Sequence, residues 1–280
     1  MTTRIPERTL NDGTTLPTLG FGTYKLTGSD GVDAIVTAVE LGYRLLDTAY
    51  NYENEGAVGE AIRRASVPRE QLRIASKLPG RYQQYGKAVD AVHESLYRAR
   101  LEYYDLYLIH WPNPQQGVYP EAWRALVDLR KQGLIRSIGV SNFLPEHIQR
   151  IADETGVLPS VNQIELHPYF PQAQQRAFDQ QYEICTESWS PLGRANAMLR
   201  EPLLERIASE HGRSVAQVVL RWHYQLGAVA IPKATAPARQ QENMSIFDFE
   251  LSEDEMDGIT GLGRPDGRNK GQDPATYEEF

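Results

Sequence analysis

The sequence has little of what marks several large classes of protein. Its 280 residues include a single cysteine, Cys185, so neither an intrachain disulfide nor a zinc-finger spacing is possible. A lone cysteine of this kind is typically a buried thiol, here in a predicted strand. Acidic residues outnumber basic ones, for a net charge of −8. That charge argues against nucleic-acid binding, which needs a broad basic face, but allows a local basic pocket for one phosphorylated cofactor.

Long apolar runs are also absent. No run approaches the roughly 20 residues that cross a bilayer. The N-terminal residues 1–8 lack the apolar core of a signal peptide. We therefore expect a soluble, cytoplasmic protein without membrane or nucleic-acid partners.

What the chain does contain is a regular alternation of strand-like and helix-like stretches. Eight short apolar or β-branched runs, bounded by glycine, proline and polar residues, are typical of strands buried on both faces. They lie at 19–23, 45–47, 73–77, 106–111, 137–140, 161–165, 184–188 and 229–232. Before them, Asn11-Asp12-Gly13 predicts the turn of a β-hairpin.

Eight amphipathic stretches are predicted to form a ring of helices. They lie at 32–41, 56–65, 87–100, 120–132, 145–154, 173–181, 202–211 and 215–225. Gly42 is a natural helix stop and Ser214 is a plausible N-cap. Alternation over this length implies a parallel sheet with crossovers, and eight units favour closure into a (β/α)8 TIM barrel. We expect residues 1–280 to be one domain of this fold, preceded by the hairpin.

The last twenty residues, 261–280, show no periodicity. Two interpretations stay open for them: a C-terminal loop over the barrel mouth, or a segment that frays.

Four reactive side chains lie at or just beyond the ends of predicted strands. Asp47 ends the second strand, Lys77 the third and His110 the fourth, while Tyr52 lies in the loop after the second. Singly, each has a structural explanation: a turn aspartate, a snorkelling lysine, a core histidine and a packing tyrosine. In a barrel, however, the C-terminal strand ends form one rim, where active sites are built.

The four groups are chemically complementary. A nearby ammonium is expected to lower the pKa of a phenol below its ordinary value of about 10, and a carboxylate keeps that ammonium charged. The phenol can then donate a proton to a carbonyl oxygen that an imidazole orients. Proton donation of this kind suggests hydride delivery to the carbonyl carbon, and hydride requires a nicotinamide cofactor.

Several stretches carry more specific motifs. The most specific is LDTAYNYENE at 46–55. The others are GFGTY at 20–24, LYLIHWP at 106–112, IGVSNF at 138–143, and IPK at 231–233 followed by Arg239, Glu242 and Asn243. Across nearly the whole chain these motifs resemble the aldo-keto reductase family. The resemblance implies Tyr52 as general acid, Lys77 and Asp47 as its tuning pair, and His110 as the residue that orients the carbonyl.

The resemblance also implies NADPH bound across the barrel mouth without a Rossmann domain. Consistently, no GxGxxG motif follows a predicted strand. The implied nicotinamide contacts are Ser141, Asn142, Gln163 and Trp189, and the implied pyrophosphate contacts are Ser190, Leu192 and Gly193. The implied adenosine-end contacts are Lys233, Ala234, Thr235, Arg239, Glu242 and Asn243. Lys233 and Arg239 favour a 2′-phosphate, although Ala234 stands where the family often has serine.

Substrate contacts are expected from Tyr24, Tyr50 and Trp111, whose aromatic faces suit an apolar or sugar-like carbonyl compound. The leading hypothesis is thus a monomeric, metal-free NADPH-dependent reductase of aldehydes and ketones, of small dicarbonyl or keto-sugar type. Two alternatives stay open. One is a cofactor-binding regulatory subunit that senses redox state, and the other is a barrel isomerase or a Schiff-base aldolase that uses Lys77.

Overall fold

Eight short parallel strands form the centre of the structure, a computed structural model that describes residues 4–195 and 197–280. Residues 1–3, which belong to the segment considered for a signal peptide, lie outside the described residues. The strands are β3 (Phe21–Gly22), β4 (Leu45–Asp47), β5 (Arg73–Leu78), β6 (Tyr104–Ile109), β7 (Ile135–Ser141), β8 (Val161–Glu165), β9 (Cys185–Trp189) and β10 (Val229–Ala230).

The sheet closes on itself. Each strand pairs in parallel with the next along the chain, from β3 to β10. The first and last strands then meet, because Leu19 bridges Ala230 and the Gly20 amide donates to the Ala230 carbonyl at 2.8 Å. A second bond, from the Gly22 amide to the Pro232 carbonyl at 3.0 Å, extends this seam. The predicted (β/α)8 barrel is confirmed.

Ten helices are seen in the described residues. They are α1 (Gly28–Leu41), α2 (Glu55–Arg64), α3 (Tyr85–Ala99), α4 (Tyr119–Lys131), α5 (Pro145–Thr155), α6 (Ala173–Gln181), α7 (Pro202–His211), α8 (Val215–Gln225), α9 (Pro237–Met244) and α10 (Glu253–Thr260). The first eight match the predicted helices to within a few residues. Gly42 ends α1 with φ of 125°, and the Ser214 hydroxyl caps α8 by accepting from the Gln217 amide.

The ring of helices closes differently from the sequence prediction. Both α7 and α8 lie between β9 and β10, so this crossover contains two helices instead of one. The helix after the last strand is α9, which packs between α8 and α1 and was not predicted. Its eight residues, PARQQENM, contain too few apolar side chains to show a helical period. The other unpredicted helix, α10, packs on α7 outside the ring.

The predicted N-terminal β-hairpin is present, and it covers the N-terminal end of the barrel. Strands β1 (Glu7–Thr9) and β2 (Thr15–Pro17) pair in antiparallel register. At the turn, Asp12 Oδ2 accepts from the hydroxyls of Ser137 and Ser160 at 2.7 and 2.8 Å. These bonds fix the hairpin against the starts of β7 and β8.

The barrel interior behind the hairpin is apolar. Leu10 and Leu16 of the hairpin pack with inward side chains of the strands, among them Cys185 of β9. This cysteine is buried and free, as predicted, and burial raises the pKa of its thiol to about 12. A larger apolar core lies between the strands and the surrounding helices. Within the described part of the chain, no helix is long and apolar enough to cross a membrane.

The C-terminal segment returns to the opposite end of the barrel. The Asn269 amide donates to Glu165 at the end of β8, at 2.6 Å. Further on, the ring of Tyr277 lies 4.5 Å from that of Trp111. Of the two interpretations of this segment, the loop over the barrel mouth is confirmed.

One close helix contact gives a test of the packing. A Cβ atom on Gly59 of α2 would lie 1.9 Å from the Ala99 carbonyl oxygen at the end of α3, whereas one on Gly86 of α3 would meet nothing within 4 Å. We expect Gly59→Ala to lower the free energy of unfolding by about 1–3 kcal/mol because the two helices must separate. The matched control, Gly86→Ala, should be neutral or stabilising by up to about 1 kcal/mol. Urea unfolding measures both, and equal effects would contradict the contact.

Candidate active site

The four titratable residues selected from the sequence lie together at the C-terminal mouth of the barrel. Asp47 is the last residue of β4, Lys77 is the penultimate residue of β5, and His110 directly follows β6. Tyr52 ends a short 3-10 turn, Tyr50–Tyr52, in the loop after β4. Because barrel strands share one direction, all four side chains meet at one rim.

The ammonium group of Lys77 is fully buried and fully paired. Its Nζ donates to the two carboxylate oxygens of Asp47 at 2.7 and 2.8 Å, and to the Thr48 carbonyl at 2.8 Å. These bonds use all three of its N–H donors. Burial is the largest single influence and would lower the pKa of Lys77, but the charge and hydrogen bonds of Asp47, together with Tyr52 and Glu187, outweigh burial and raise it. Such a lysine is poorly suited to a Schiff base, which requires a neutral amine.

The ring of Tyr52 is close to both this ammonium and the imidazole of His110. The Lys77 Nζ is 5.1 Å from the centroid of the Tyr52 ring, and the His110 ring centroid is 6.0 Å from it. The expected direction of its pKa shift was wrong: burial outweighs Lys77 and raises the pKa of Tyr52 above 10. Tyr52 is therefore a protonated phenol at neutral pH, which is the form that a proton donor needs.

A buried amide fixes the loop that carries Tyr52. Asn54 Nδ2 donates to the carbonyls of Thr23 and Leu26 at 2.7 and 3.0 Å, and its Oδ1 accepts from the Thr48 hydroxyl at 2.7 Å. These bonds tie the loop after β4 to the loop after β3. Asn54 lies within the motif 46–55, but its positioning role was not predicted.

The predicted nicotinamide contacts form a continuous hydrogen-bonded chain along the rim. Trp189 Nε1 donates to Asn142 Oδ1 at 2.7 Å, and Asn142 Nδ2 donates to the Ser141 hydroxyl at 3.0 Å. The Ser141 hydroxyl donates to the backbone carbonyl of Gln163 at 2.9 Å, and Gln163 Nε2 donates to Asp47 Oδ1 at 2.9 Å. The rim residues are thereby connected to the buried ion pair.

The other predicted cofactor contacts lie on two neighbouring segments. Ser190, Leu192 and Gly193 form the turn after β9, where Ser190 and Gly193 adopt positive φ. Lys233, Ala234 and Thr235 follow β10, and Arg239, Glu242 and Asn243 lie on α9. Lys233 and Arg239 are exposed and have no ion pair among the described residues.

The structure brings two of the three predicted substrate contacts to the mouth. Tyr24 packs edge-on against Tyr52, with ring centroids 4.9 Å apart, and Trp111 follows His110 beneath the C-terminal loop. Tyr50 does not join them. Its hydroxyl accepts from Arg98 of α3, and its ring packs on Tyr82, because the 3-10 turn directs it outward to the helices.

Glu187 on β9 is a buried carboxyl group that the sequence analysis missed. Neither of its oxygens has a hydrogen-bond partner among the described residues. Burial, and then the like charge of Asp47, raise the pKa of Glu187 to about 8. It is therefore mostly a neutral acid at neutral pH. The available signal was strand alternation, which places Glu187 on the same inward face as Cys185 and Trp189.

Glu279, near the end of the chain, is a second residue that was missed. Its Oε1 lies 2.7 Å from His110 Nδ1. No local pattern in the sequence could have indicated this contact, because it joins the C-terminal loop to the end of β6.

Comparison with known proteins identifies the family. The profile described as "Aldo/keto reductase family" matches residues 18–264. The chain belongs to the aldo/keto reductase family. It is 53% identical over 276 residues to 2,5-diketo-D-gluconic acid reductase B of Corynebacterium sp. (strain SHS752001), with 99% of each chain covered.

Two further similarities support this membership. This chain is 43% identical over 269 residues to methylglyoxal reductase DkgA of Escherichia coli (strain K12), with 96% of each chain covered. The crystal structure of a Gox0644 mutant in complex with NADPH matches with a TM-score of 0.93 and 43% identity, over 98% of this chain and 99% of that chain.

The buried acid gives a test of the site electrostatics. A carboxyl group whose pKa is higher in the folded state takes up a proton on folding, so its contribution to stability falls as the pH rises from about 4.5 to about 8. We expect Glu187→Gln to raise the free energy of unfolding by about 1–3 kcal/mol near pH 8 and by much less near pH 5. Urea unfolding at both pH values measures this, with exposed Glu102→Gln as the control. A gain independent of pH would argue against the raised pKa.

Proposed function

We propose that this reductase uses NADPH to reduce aldehydes and ketones, of small dicarbonyl or keto-sugar type, to alcohols. One observation carries the proposal: the phenol of Tyr52 lies near both the buried Lys77–Asp47 ion pair and the imidazole of His110. That arrangement can hold a carbonyl oxygen and protonate it.

In the proposed reaction, NADPH supplies the hydride that forms the new C–H bond at the carbonyl carbon. His110 donates a hydrogen bond to the carbonyl oxygen and so orients it. Tyr52 donates its proton to that oxygen as negative charge develops there. The ammonium of Lys77 stabilises the resulting phenolate, and solvent restores the proton to Tyr52. Asp47 keeps Lys77 charged and in place throughout.

The residues at the mouth fit the proposed cofactor. The rim amides and hydroxyl of Ser141, Asn142 and Gln163 match the hydrogen-bonding groups of a carboxamide, and the half-buried ring of Trp189 can stack on a flat heterocycle. Ser190, Leu192 and Gly193 would contact the pyrophosphate. The adenosine end would be held by Lys233, Ala234, Thr235, Arg239, Glu242 and Asn243. Lys233 and Arg239, which form no ion pair within the described part of the chain, would supply the positive charge that a 2′-phosphate needs.

The proposed substrate class follows from the aromatic surface around Tyr52. Tyr24 is exposed beside Tyr52, and Trp111 is buried under Tyr277 of the C-terminal loop. Aromatic rings of this kind suit a small carbonyl compound or a sugar. The names of the two reductase relatives, which refer to diketogluconic acid and methylglyoxal, agree with this class. A panel of such carbonyl compounds, assayed by loss of NADPH absorbance, tests the proposal, and no turnover on any of them would count against it. The monomeric state and the cytoplasmic location stay predictions.

Tyr52→Phe removes the proposed proton donor and little else. We expect kcat for carbonyl reduction to fall by a factor of about 10² to 10⁴, because general acid catalysis is lost. The Kd of NADPH should change by less than about threefold, since the phenol is not needed to hold the cofactor. Tyr97→Phe, on the exposed face of α3, is the matched control. A parallel loss of turnover and of NADPH binding would refute the proton-donor role.

Lys233→Met keeps the aliphatic stem and removes the charge proposed to bind the 2′-phosphate. We expect the Kd of NADPH to rise by a factor of about 10 to 100, the value of a charge-assisted hydrogen bond. The Kd of NADH, which lacks that phosphate, should change little. Fluorescence titration measures both constants, with Lys131→Met at the far end of α4 as the control. An equal rise in the Kd of NADPH and of NADH would show that Lys233 does not bind the 2′-phosphate.

A further inference from the structure

The C-terminal loop brings a carboxylate group to His110. Glu279 Oε1 lies 2.7 Å from His110 Nδ1, at ion-pair distance but without the alignment of a hydrogen bond. The same carboxylate accepts from Asn51 Nδ2 and from the Gly80 amide, each at 2.8 Å. Glu279 is thereby held by the segments that follow β4, β5 and β6.

The backbone of Glu279 is fixed as firmly as its side chain. Its amide donates to Asn113 Oδ1 at 3.0 Å, and its carbonyl accepts from Asn113 Nδ2 at 2.8 Å. Gly80 leaves room for this pairing, because a Cβ atom there would lie 2.5 Å from the Glu279 carbonyl oxygen. The fold therefore provides a specific seat for this one residue of the loop.

Glu279 is a carboxylate at neutral pH. Burial would raise the pKa of Glu279. The charge of His110 and the hydrogen bonds that the Glu279 carboxylate accepts together outweigh burial and hold that pKa below 4.5. Among the described residues it is the one carboxylate at ion-pair distance from His110.

The other charged groups near His110 are already compensated or more distant. The phenol of Tyr52 faces the imidazole ring, and the Lys77–Asp47 pair behind that phenol neutralises itself. Arg81 donates to Asn51 Oδ1 and has no ion pair with His110 or Glu279 among the described residues. Glu279 therefore has the uncompensated charge that acts on the imidazole.

We propose that Glu279 is a positioning residue that holds the His110 ring in one orientation, with a proton on Nδ1 and with Nε2 presented to the carbonyl oxygen. The inference rests on the proposed function, in which His110 donates a hydrogen bond to that oxygen. Because both ring nitrogens must then carry protons, the donor form is the imidazolium, which binds a developing oxyanion better than a neutral ring does. The misaligned contact is expected to tighten when substrate binds.

Two tail variants of the full chain separate the effect of this charge from anchoring of the loop. Glu279→Gln removes the charge at His110. Glu278→Gln removes a neighbouring carboxylate that accepts from the Gln115 amide and the Gln116 side chain, away from His110. Truncation after Glu278 serves as a second test if the glutamine variant folds poorly.

The first readout is the ¹⁵N spectrum of histidine-labelled protein without substrate, with the His110 signal assigned by its loss in His110→Gln. We expect the ring-nitrogen signals of His110 to be the same in the wild type and in Glu278→Gln, and to shift in Glu279→Gln, because the charge 2.7 Å from Nδ1 is removed. This readout needs no turnover. It therefore tests the Glu279–His110 contact even if the wild type reduces no carbonyl compound. That outcome would contradict the proposed function but not the contact.

The second readout is the pH profile of kcat/KM. We expect Glu279→Gln to lower kcat/KM about tenfold and to change the shape of its pH profile, because the imidazole loses the charge that lies beside it. Glu278→Gln should keep the wild-type profile. Identical spectra and profiles for the two variants would show that Glu279 only anchors the loop, and a rise in kcat/KM would show that it obstructs the site. Either result would overturn the proposal.

Discussion

Two opposite charges, on Lys77 and Asp47, are buried together at the mouth of the barrel. Removing one partner from a buried pair of this kind costs about 3–5 kcal/mol, because the remaining charge is left uncompensated. The barrel tolerates the pair because the three ammonium donors all have acceptors and the carboxylate receives a further bond from Gln163. The ring of Tyr52 lies against this pair, so the charge state of the pair sets the surroundings of the phenol.

Much of the rim is connected to the same pair. The hydrogen-bonded chain from Trp189 through Asn142 and Ser141 ends at Gln163, which bonds Asp47. Glu187 stays mostly neutral because it is buried and because a second carboxylate near Asp47 would be repelled. The proposed nicotinamide contacts and the ion pair beside Tyr52 are thus joined by one polar network inside an apolar barrel.

The barrel and the four titratable residues were accessible to sequence reasoning because both depend on local patterns. Strand runs such as 106–111 and helix starts such as Ser214 are read from neighbouring residues, and strand ends in a barrel must share a rim. The features that were predicted wrongly or missed depend on contacts between distant parts of the chain, or lack a local sequence pattern. The pKa of Tyr52 depends on its burial by loops from separate strands, Glu279 reaches His110 from the far end of the chain, and α9 is too short and polar to show a period.

The central claim is that Asp47 acts on the phenol through Lys77 and that the two work as one unit. A double-mutant cycle on kcat/KM for carbonyl reduction, with Asp47→Asn, Lys77→Met and the double variant, tests this most directly. If the pair is one unit, the double variant should lose about as much activity as the more damaged single variant. Losses that multiply would show that the two residues act independently and would contradict the account.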